Sequence, residues 1–179
     1  MTDYGSIGIG IDLGGTTFTV GVFTQSGEAL SHASHDTPTC GDPDRIARTL
    51  AQAAEAQARE VGAPLDSVVG VAIGFPGPVD PDAGVVKKAP NIHCLAGYAL
   101  THAVADGLNG ASVALQNDAY CATLAELRWG AGRGVENLVM LTLGTGIGGG
   151  VAIGNRVVRG PRQILGEVGH LIIDPNGRK

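Results

Sequence analysis

Two glycine-rich turns, one in each half of the chain, have the composition of phosphate-binding sites. Residues 14–17 read Gly-Gly-Thr-Thr, and residues 144–146 read Gly-Thr-Gly. Because glycine has no Cβ, the amides of such turns are open to an anion, and a threonine hydroxyl adds a donor. Ordinary β-hairpins also favour these residues, so either turn alone is weak evidence. The candidate phosphate-contacting residues are Gly14, Gly15, Thr16, Thr17, Gly144, Thr145 and Gly146.

Two aspartates lie where they could act on a phosphoryl group. Asp12 ends the apolar run before the first turn and could hold Mg²⁺, directly or through water. Asp118 follows the apolar run 112–116, at the predicted start of a helix. With Asn117 it could be a common N-cap pair. Alternatively, its carboxylate could accept the proton of a substrate hydroxyl that attacks a γ-phosphate. Both roles are compatible, because Asn117 could cap the helix while Asp118 faces the substrate.

Further polar residues have the chemistry of sugar recognition. Asn91 could offer a donor and an acceptor to neighbouring sugar hydroxyls. Glu167 and His170 are three residues apart and could converge on a polyol if the segment is turned or helical, although many such pairs only bond each other. The loop at residues 74–80, Gly-Phe-Pro-Gly-Pro-Val-Asp, is either a ligand contact after a buried strand or a turn stiffened by prolines.

Apolar periodicity predicts an α/β protein that positions these residues. We expect a hairpin and a third strand within residues 7–35, further strands at 68–73, 85–86 and 112–116, and a second hairpin within 138–153. Helices are predicted over 42–62, with Asp42 as N-cap acceptor and Gly62 as the stop, and over 98–108 and 119–129. Neither glycine turn has P-loop spacing or opens a helix as a dinucleotide-binding turn does. Two phosphate hairpins therefore indicate a two-lobed kinase with nucleotide in the cleft.

Composition limits the classes of function. The chain has 179 residues, 44% of them hydrophobic, and a formal charge of -5, which gives no electrostatic footprint for nucleic acid. Neither a membrane-spanning run nor a secretory signal is present, so we expect a cytoplasmic protein with small-molecule ligands and no membrane partner. Cys40, Cys94 and Cys121 lie far apart and form no C-x-x-C pair, so we expect reduced, structural thiols.

Several motifs, taken in order, resemble the ROK family (repressors, open reading frames and sugar kinases) of the actin, hexokinase and Hsp70 superfamily. The resemblance covers nearly the whole chain. It implies an actin-like ATPase (ribonuclease H-like) α/β fold, with an N-terminal lobe at 1–117 and an incomplete C-terminal lobe at 118–179. The motifs are Asp-Leu-Gly-Gly-Thr at 12–16, Gly-Phe-Pro-Gly-Pro-Val-Asp at 74–80, Ala-Pro-Asn at 89–91, Asn-Asp-Ala at 117–119, Gly-Ala-Gly-Arg-Gly at 130–134, Leu-Thr-Leu-Gly-Thr-Gly-Ile-Gly-Gly-Gly at 141–150 and Gly-Glu-Val-Gly-His at 166–170.

The resemblance also implies a reaction and residue roles. The expected activity is ATP- and Mg²⁺-dependent phosphorylation of a hexose at its 6-hydroxyl, with glucose first. Alternatives are an N-acetylhexosamine kinase or fructokinase, polyphosphate as donor, a sugar-binding repressor-type module, or a non-catalytic fragment. Asp118 would be the general base, Asp12 the acid beside Mg²⁺, and His170 also a ligand of a structural Zn²⁺. The implied sugar-contacting residues are Gly77, Asn91, Asn117, Asp118, Glu167 and His170.

The sequence departs from the family pattern at its end. Residues 171–179 lead up to the position where the zinc-binding cysteine cluster of the family should begin. A later sugar-binding glutamate, the glycine-rich adenosine motif and a terminal helix would follow in the family. We therefore expect a C-terminally truncated protein, a fragment or the product of an interrupted reading frame. The full-length parent is expected to be a homodimer.

Overall fold

The structure has the predicted hairpins, strands and helices in the predicted order, and two short strands at 79–80 and 156–158 in addition. The computed structural model describes residues 6–144, 146–160 and 165–177. The chain divides into two compact units, Met1–Asp118 and Ala119–Lys179. The elements in chain order are β1 (Ile7–Leu13), β2 (Thr17–Thr24), β3 (Ala29–Asp36), α1 (Pro43–Glu60), β4 (Val68–Phe75), β5 (Val79–Asp80), β6 (Val85–Val86), α2 (Leu100–Asp106), β7 (Val113–Asn117), α3 (Asp118–Arg128), β8 (Leu138–Leu143), β9 (Ile147–Ile153) and β10 (Arg156–Val158).

A five-stranded sheet in the order β3-β2-β1-β4-β7 forms the first unit. Strands β1, β2 and β3 are antiparallel, as expected for a hairpin extended by a third strand. Strand β4 joins β1 in parallel, and β7 joins β4 in parallel. The carboxyl ends of β1, β4 and β7 therefore meet at one edge of the sheet, where ligand-binding loops of α/β proteins are commonly found.

The two faces of β1 differ in composition. Ile7, Ile9, Ile11 and Leu13 alternate along the strand and are almost completely buried. The intervening residues include Gly10, which lies opposite Gly21 of β2. A Cβ at Gly10 would lie 3.3 Å from the ring of Phe23, and a Cβ at Gly21 would lie 2.8 Å from it. Glycine weakens a strand, and here it makes room for this aromatic ring.

Helix α1 confirms the predicted 42–62 segment, with one correction at its start. Pro43 is in the first turn, and Gly62 adopts a left-handed φ of 71°, as expected of a C′ glycine. Asp42 occupies the N-cap position, but its side chain makes no capping hydrogen bond. Its Oδ2 instead accepts a bond of 3.2 Å from Nη2 of Arg48. The expected N-cap acceptor is therefore wrong, because the carboxylate is oriented toward the guanidinium.

The other two helices differ from prediction at their ends. Helix α2 is shorter than the predicted 98–108 segment and begins at Leu100. Tyr98 precedes it and donates a short hydrogen bond to Oδ1 of Asp44. Helix α3 begins one residue earlier than predicted, at Asp118. In the described ranges, no helix is long and apolar enough to cross a bilayer.

The second unit contains an antiparallel sheet in the order β10-β9-β8. One face packs on α3: a Cβ at Gly148 would lie 3.4 Å from Cβ of Ala119, and one at Gly150 would meet the side chain of Thr123. On the other face, large apolar side chains are exposed, up to 79% for Leu143. The exposed side chains of β8 and of the start of β9 are Val139, Leu141, Leu143 and Ile147.

Two of the cysteines are joined, which corrects the expectation of reduced thiols. Cys40 and Cys94 form a disulfide across a sequence separation of 54 residues, with Cα atoms 5.6 Å apart. That Cα separation is ordinary for a disulfide. Sequence spacing could not show this pair, because the fold brings together two loops that are distant in the chain. Cys121 forms no disulfide with another described residue.

Because of the Tyr98–Asp44 hydrogen bond, the free energy of unfolding should fall at high pH. Burial first, and then the hydrogen bond to Asp44, raise the pKa of Tyr98 from 10.0 to about 12. A raised pKa favours the protonated phenol in the folded state. The contribution of the hydrogen bond to the free energy of unfolding is therefore complete below pH 10.0 and is lost as the pH approaches about 12. Tyr98→Phe should lower the free energy of unfolding by about 1 kcal/mol at neutral pH.

Denaturant unfolding of both proteins across this pH range checks the prediction. The difference between wild type and Tyr98→Phe should shrink as the phenol ionises. A difference that stays constant up to the highest pH would contradict it.

Candidate functional site

The register of the parallel strands places the predicted site residues at one sheet edge. Asp12 of β1 lies beside Gly74 of β4, and Gly74 lies beside Gln116 of β7. Asn117 is the next residue of β7 and pairs with Phe75. Asp118 then begins α3. The ends of β1 and β7, on either side of β4, thus deliver two aspartates and an asparagine to neighbouring positions in the first unit.

Gly74 marks how closely the two aspartates approach. A Cβ on Gly74 would lie 3.7 Å from Cα of Asp118 and 3.8 Å from Oδ1 of Asp12. Asp12 is exposed and Asp118 is half-buried, so both can be reached from solvent. Asp118 also lies in the first turn of α3, where a negative charge is favoured by the helix dipole. Its position therefore suits both of the roles considered from the sequence.

The first glycine turn is closed by its own backbone and held by a neighbouring loop. The amide of Gly14 donates to the carbonyl of Thr17 at 2.9 Å, so this amide is used within the turn. Thr37 holds the turn from outside: its amide donates to the carbonyl of Thr16, and its hydroxyl donates to that of Gly14, both at 2.8 Å. Gly15, Thr16 and Thr17 remain exposed. The turn is thus a fixed, solvent-facing feature.

Asn91 lies directly against this turn. A Cβ on Gly15 would be 2.9 Å from Cβ and 3.3 Å from the carbonyl oxygen of Asn91. The segment 87–97, here called the Asn91 loop, is thereby in contact with the phosphate-binding candidate. Asn91 is itself exposed, so its amide is accessible to a ligand. The structure thus places Asn91 beside the turn at residues 14–17, and its role in sugar binding stays a prediction.

The loop after β4 lies on the other side of the Asn91 loop. A Cβ on Gly77 would be 2.8 Å from the carbonyl oxygen of Lys88, so only glycine fits this contact. The amide of Lys87 donates to the carbonyl of Pro78 at 2.9 Å. Nδ2 of Asn117 lies 3.5 Å from the carbonyl oxygen of Gly77. The structure therefore gathers the predicted residues Gly77, Asn91 and Asn117 in one part of the first unit.

The remaining predicted residues belong to the second unit. The amide of Gly144 donates to the carbonyl of Gly146 at 3.0 Å, which closes the second glycine turn. Thr145 lies outside the described residues. Glu167 precedes the short 3₁₀ turn Val168–His170, and its Oε2 is 4.0 Å from Nε2 of His170. Their side chains are 43% and 87% exposed, so the pair is open to solvent.

The two implied metals fit the described residues differently. Mg²⁺ usually takes one or two carboxylates together with phosphate oxygens and water, and the exposed Asp12 beside the first turn suits that pattern. A structural Zn²⁺ requires about four protein ligands. Within residues 6–144, 146–160 and 165–177, no three His, Cys, Asp or Glu side chains are grouped to hold a metal ion. His170 therefore has no zinc site among the described residues.

Two positions at this site carried no signal of their own in the sequence. Thr37 follows β3 in a polar segment, and nothing in its local pattern indicates that it bonds the turn at Gly14 and Thr16. Cys40 comes three residues later and is joined to Cys94 of the Asn91 loop. Both contacts join distant parts of the chain, so only the fold shows them.

Comparison with known proteins assigns the chain to a family. The ROK family pattern matches residues 8–179. The chain belongs to the ROK family. Glucokinase from Thermotoga maritima is 38% identical over 169 residues, which are 94% of this chain and 51% of that protein. The ROK hexokinase of Thermus thermophilus superposes with a TM-score of 0.83 at 41% identity, covering 96% of this chain and 55% of that one.

A ROK glucokinase from Streptomyces griseus, solved in complex with glucose and AMPPNP, has a TM-score of 0.82 at 36% identity and covers 96% of this chain and 52% of that one. Relatives at 32% identity include a beta-glucoside kinase from Klebsiella pneumoniae and an N-acetylgalactosamine kinase from a Shewanella species. These likenesses confirm the predicted actin-like ATPase fold. The chain spans about half the length of the curated relatives it matches.

The contact between Gly15 and Asn91 can be tested by adding one methyl group. Gly15→Ala should force the Asn91 loop away from the turn, because its Cβ would lie 2.9 Å from that of Asn91. We expect a loss of about 1–3 kcal/mol in the free energy of unfolding. Hydrogen exchange of the loop amides should rise as well.

Gly8→Ala is the matched control, since its Cβ would have no atom within 4 Å. The contact is refuted if the two variants have the same unfolding free energy and the same exchange pattern.

Proposed function

We propose that this chain carries the sugar- and phosphate-binding part of a kinase that transfers the γ-phosphoryl group of ATP to the 6-hydroxyl of a hexose, with glucose as the first candidate. The observation that carries the proposal is the approach of Asp12 and Asp118 to the same glycine, Gly74, next to the turn at residues 14–17. Membership of the ROK family and the glucokinase names of its relatives support this chemistry.

Asp118 is the proposed general base. As the sugar hydroxyl oxygen forms a bond to the γ-phosphorus, the bond from that phosphorus to the bridging oxygen of ADP breaks, and the hydroxyl proton passes to the Asp118 carboxylate. Asp12 and the exposed turn residues 15–17 would hold the phosphate end of the nucleotide. Asp12 would also hold Mg²⁺, which when bound would supply positive charge to balance the transferred group.

Asn91, Asn117 and the carbonyl-lined loop at Gly77 are proposed to bind the sugar from the first unit. Amide side chains and backbone groups can each pair with neighbouring hydroxyls. Glu167 and His170 are proposed as further sugar-contacting residues. These groups recognise hydroxyls in general, and relatives named for glucose, β-glucosides and N-acetylgalactosamine share the family. An N-acetylhexosamine kinase or fructokinase is therefore the second candidate.

The matched relatives are about twice as long as the chain. We propose the activity for a protein of the relatives' length, in which further groups would complete the site. We propose that the protein acts in the cytoplasm, where ATP and sugar phosphates are found. A protein that lacks those further groups should bind sugar more weakly than a protein that has them.

Replacement of Asp118 by asparagine separates its two roles. Asp118→Asn keeps the side-chain size and removes the charge, so loss of a general base should lower kcat by about 10²–10⁴ with little change in KM. Loss of the helix-dipole interaction alone would lower stability by about 0.3–1 kcal/mol and leave kcat unchanged. A coupled assay with glucose and ATP measures the first effect.

Asp106→Asn is the matched control, because Asp106 is exposed at the end of α2. It should turn over like the wild type. Near-normal kcat in Asp118→Asn would exclude a base at this position.

The position of transfer can be tested with a sugar that lacks the acceptor. 6-Deoxyglucose keeps the hydroxyls that the polar residues would contact and has no oxygen to attack phosphorus. It should compete with glucose and yield no phosphorylated product, as read by mass spectrometry. Phosphorylation of 6-deoxyglucose would show that transfer occurs at another hydroxyl, and turnover of only N-acetylated sugars or fructose would favour the second candidate.

A further inference from the structure

The disulfide joins the two loops that hold the first glycine turn. Cys40 lies in the segment 37–42 between β3 and α1, here called the Cys40 loop, and Cys94 lies in the Asn91 loop. The Cys40 loop bonds the turn through Thr37, and the Asn91 loop packs on it at Gly15. Each of the three segments therefore contacts the other two, and the disulfide is the covalent bond among these contacts.

Weaker contacts run alongside the covalent bond. The amide of Cys94 donates to Sγ of Cys40 at 2.8 Å. Four residues after each cysteine in the sequence, the Tyr98 hydroxyl donates to Asp44. In a reduced form these contacts would keep the two sulfurs near each other. The pair could then close again without refolding of the first unit.

The pair is accessible to thiol chemistry. Cys40 is exposed, whereas Cys94 is half-buried against the core. A thiolate of a dithiol reductant can attack Sγ of Cys40 and release Cys94 as a thiolate, which takes up a proton. The second thiol of the reductant then displaces Cys40 and closes the reductant's own disulfide, so that two electrons pass to the protein. Oxidised glutathione can reverse this in two exchange steps.

We propose that Cys40 and Cys94 form a reversible thiol–disulfide switch that fixes the Asn91 loop against the turn at residues 14–17. In the oxidised form the loop is held for ligand binding, and in the reduced form it moves more freely. Disulfides of cytoplasmic proteins are usually transient and redox-sensing, which agrees with such a role. The consequence for sugar binding rests on the proposed function, whereas the switch in loop mobility does not.

Hydrogen exchange of the protein in its two redox states tests the switch. After equilibration with oxidised glutathione, peptide mapping should recover the Cys40–Cys94 linked pair. After dithiothreitol, amides of the Asn91 loop should exchange faster by about tenfold or more, while those of β4 change much less. Oxidised glutathione should restore the slow exchange. Cys121→Ser should behave as the wild type in both states.

Cys40→Ser and Cys94→Ser should each show fast loop exchange that no longer responds to dithiothreitol. Because the wild type is compared with itself, the test stands even if a variant fails to fold. Absence of the linked pair, or equal exchange in both states, overturns the proposal. An equal rise in β4 and the loop also overturns it, because the bond would then only stabilise the whole unit.

Sugar affinity, measured on the same samples, separates the switch from the proposed function. Under both proposals, reduction should raise the Kd for glucose by about tenfold, in parallel with loop exchange. A redox-dependent loop with no glucose binding in either state would refute the proposed function and leave the switch intact. Glucose binding that does not change with redox state would refute the link between loop and sugar.

Discussion

Parallel pairing of β1, β4 and β7 is the constraint on which the candidate site depends. Hydrogen bonds between these strands fix Asp12 beside Gly74 and place Asn117 one residue beyond the neighbour of Gly74. A slip of one residue in either pairing would turn Asp12 or Asn117 to the opposite face of the sheet. The buried face of β1 opposes such a slip, because it would expose Ile7, Ile9, Ile11 and Leu13 to water.

Close approach of backbone segments determines the positions of the loops that form the rest of the site. The turn at residues 14–17, the Asn91 loop and the loop after β4 come together at Gly15 and Gly77, where a Cβ would lie within 3 Å of another segment. Thr37 and the Cys40–Cys94 bond then hold these loops from outside. The functional groups are thus on loops, while their positions come from rigid strands and from close contacts at glycines.

The sequence predicted the elements well because their signals are local. Apolar runs marked β4 and β7, and the apolar stripe with Pro43 and Gly62 marked α1. Element ends were less predictable: Tyr98 reads as the start of a helix, yet its contact with Asp44 keeps it outside α2. Composition indicated a candidate phosphate turn, which stays a prediction, and motif order indicated the family.

Contacts between segments that are distant in the chain could not be predicted from the sequence. The sulfurs of Cys40 and Cys94 meet only after the sheet has ordered the two loops, so their spacing gave no hint of a bond. For the same reason nothing marked Thr37 as a support of the first turn. Asp42 shows the converse case: its local sequence predicts an N-cap side chain, but its carboxylate accepts a hydrogen bond from Arg48 instead.

The exposed face of the second sheet has a consequence for the life of the protein in a cell. Val139, Leu141, Leu143 and Ile147 present to water the kind of surface that chaperones bind and that proteolytic quality control samples. A surface that covered this face would therefore protect the polypeptide from degradation after synthesis, although the strip carries none of the proposed chemistry.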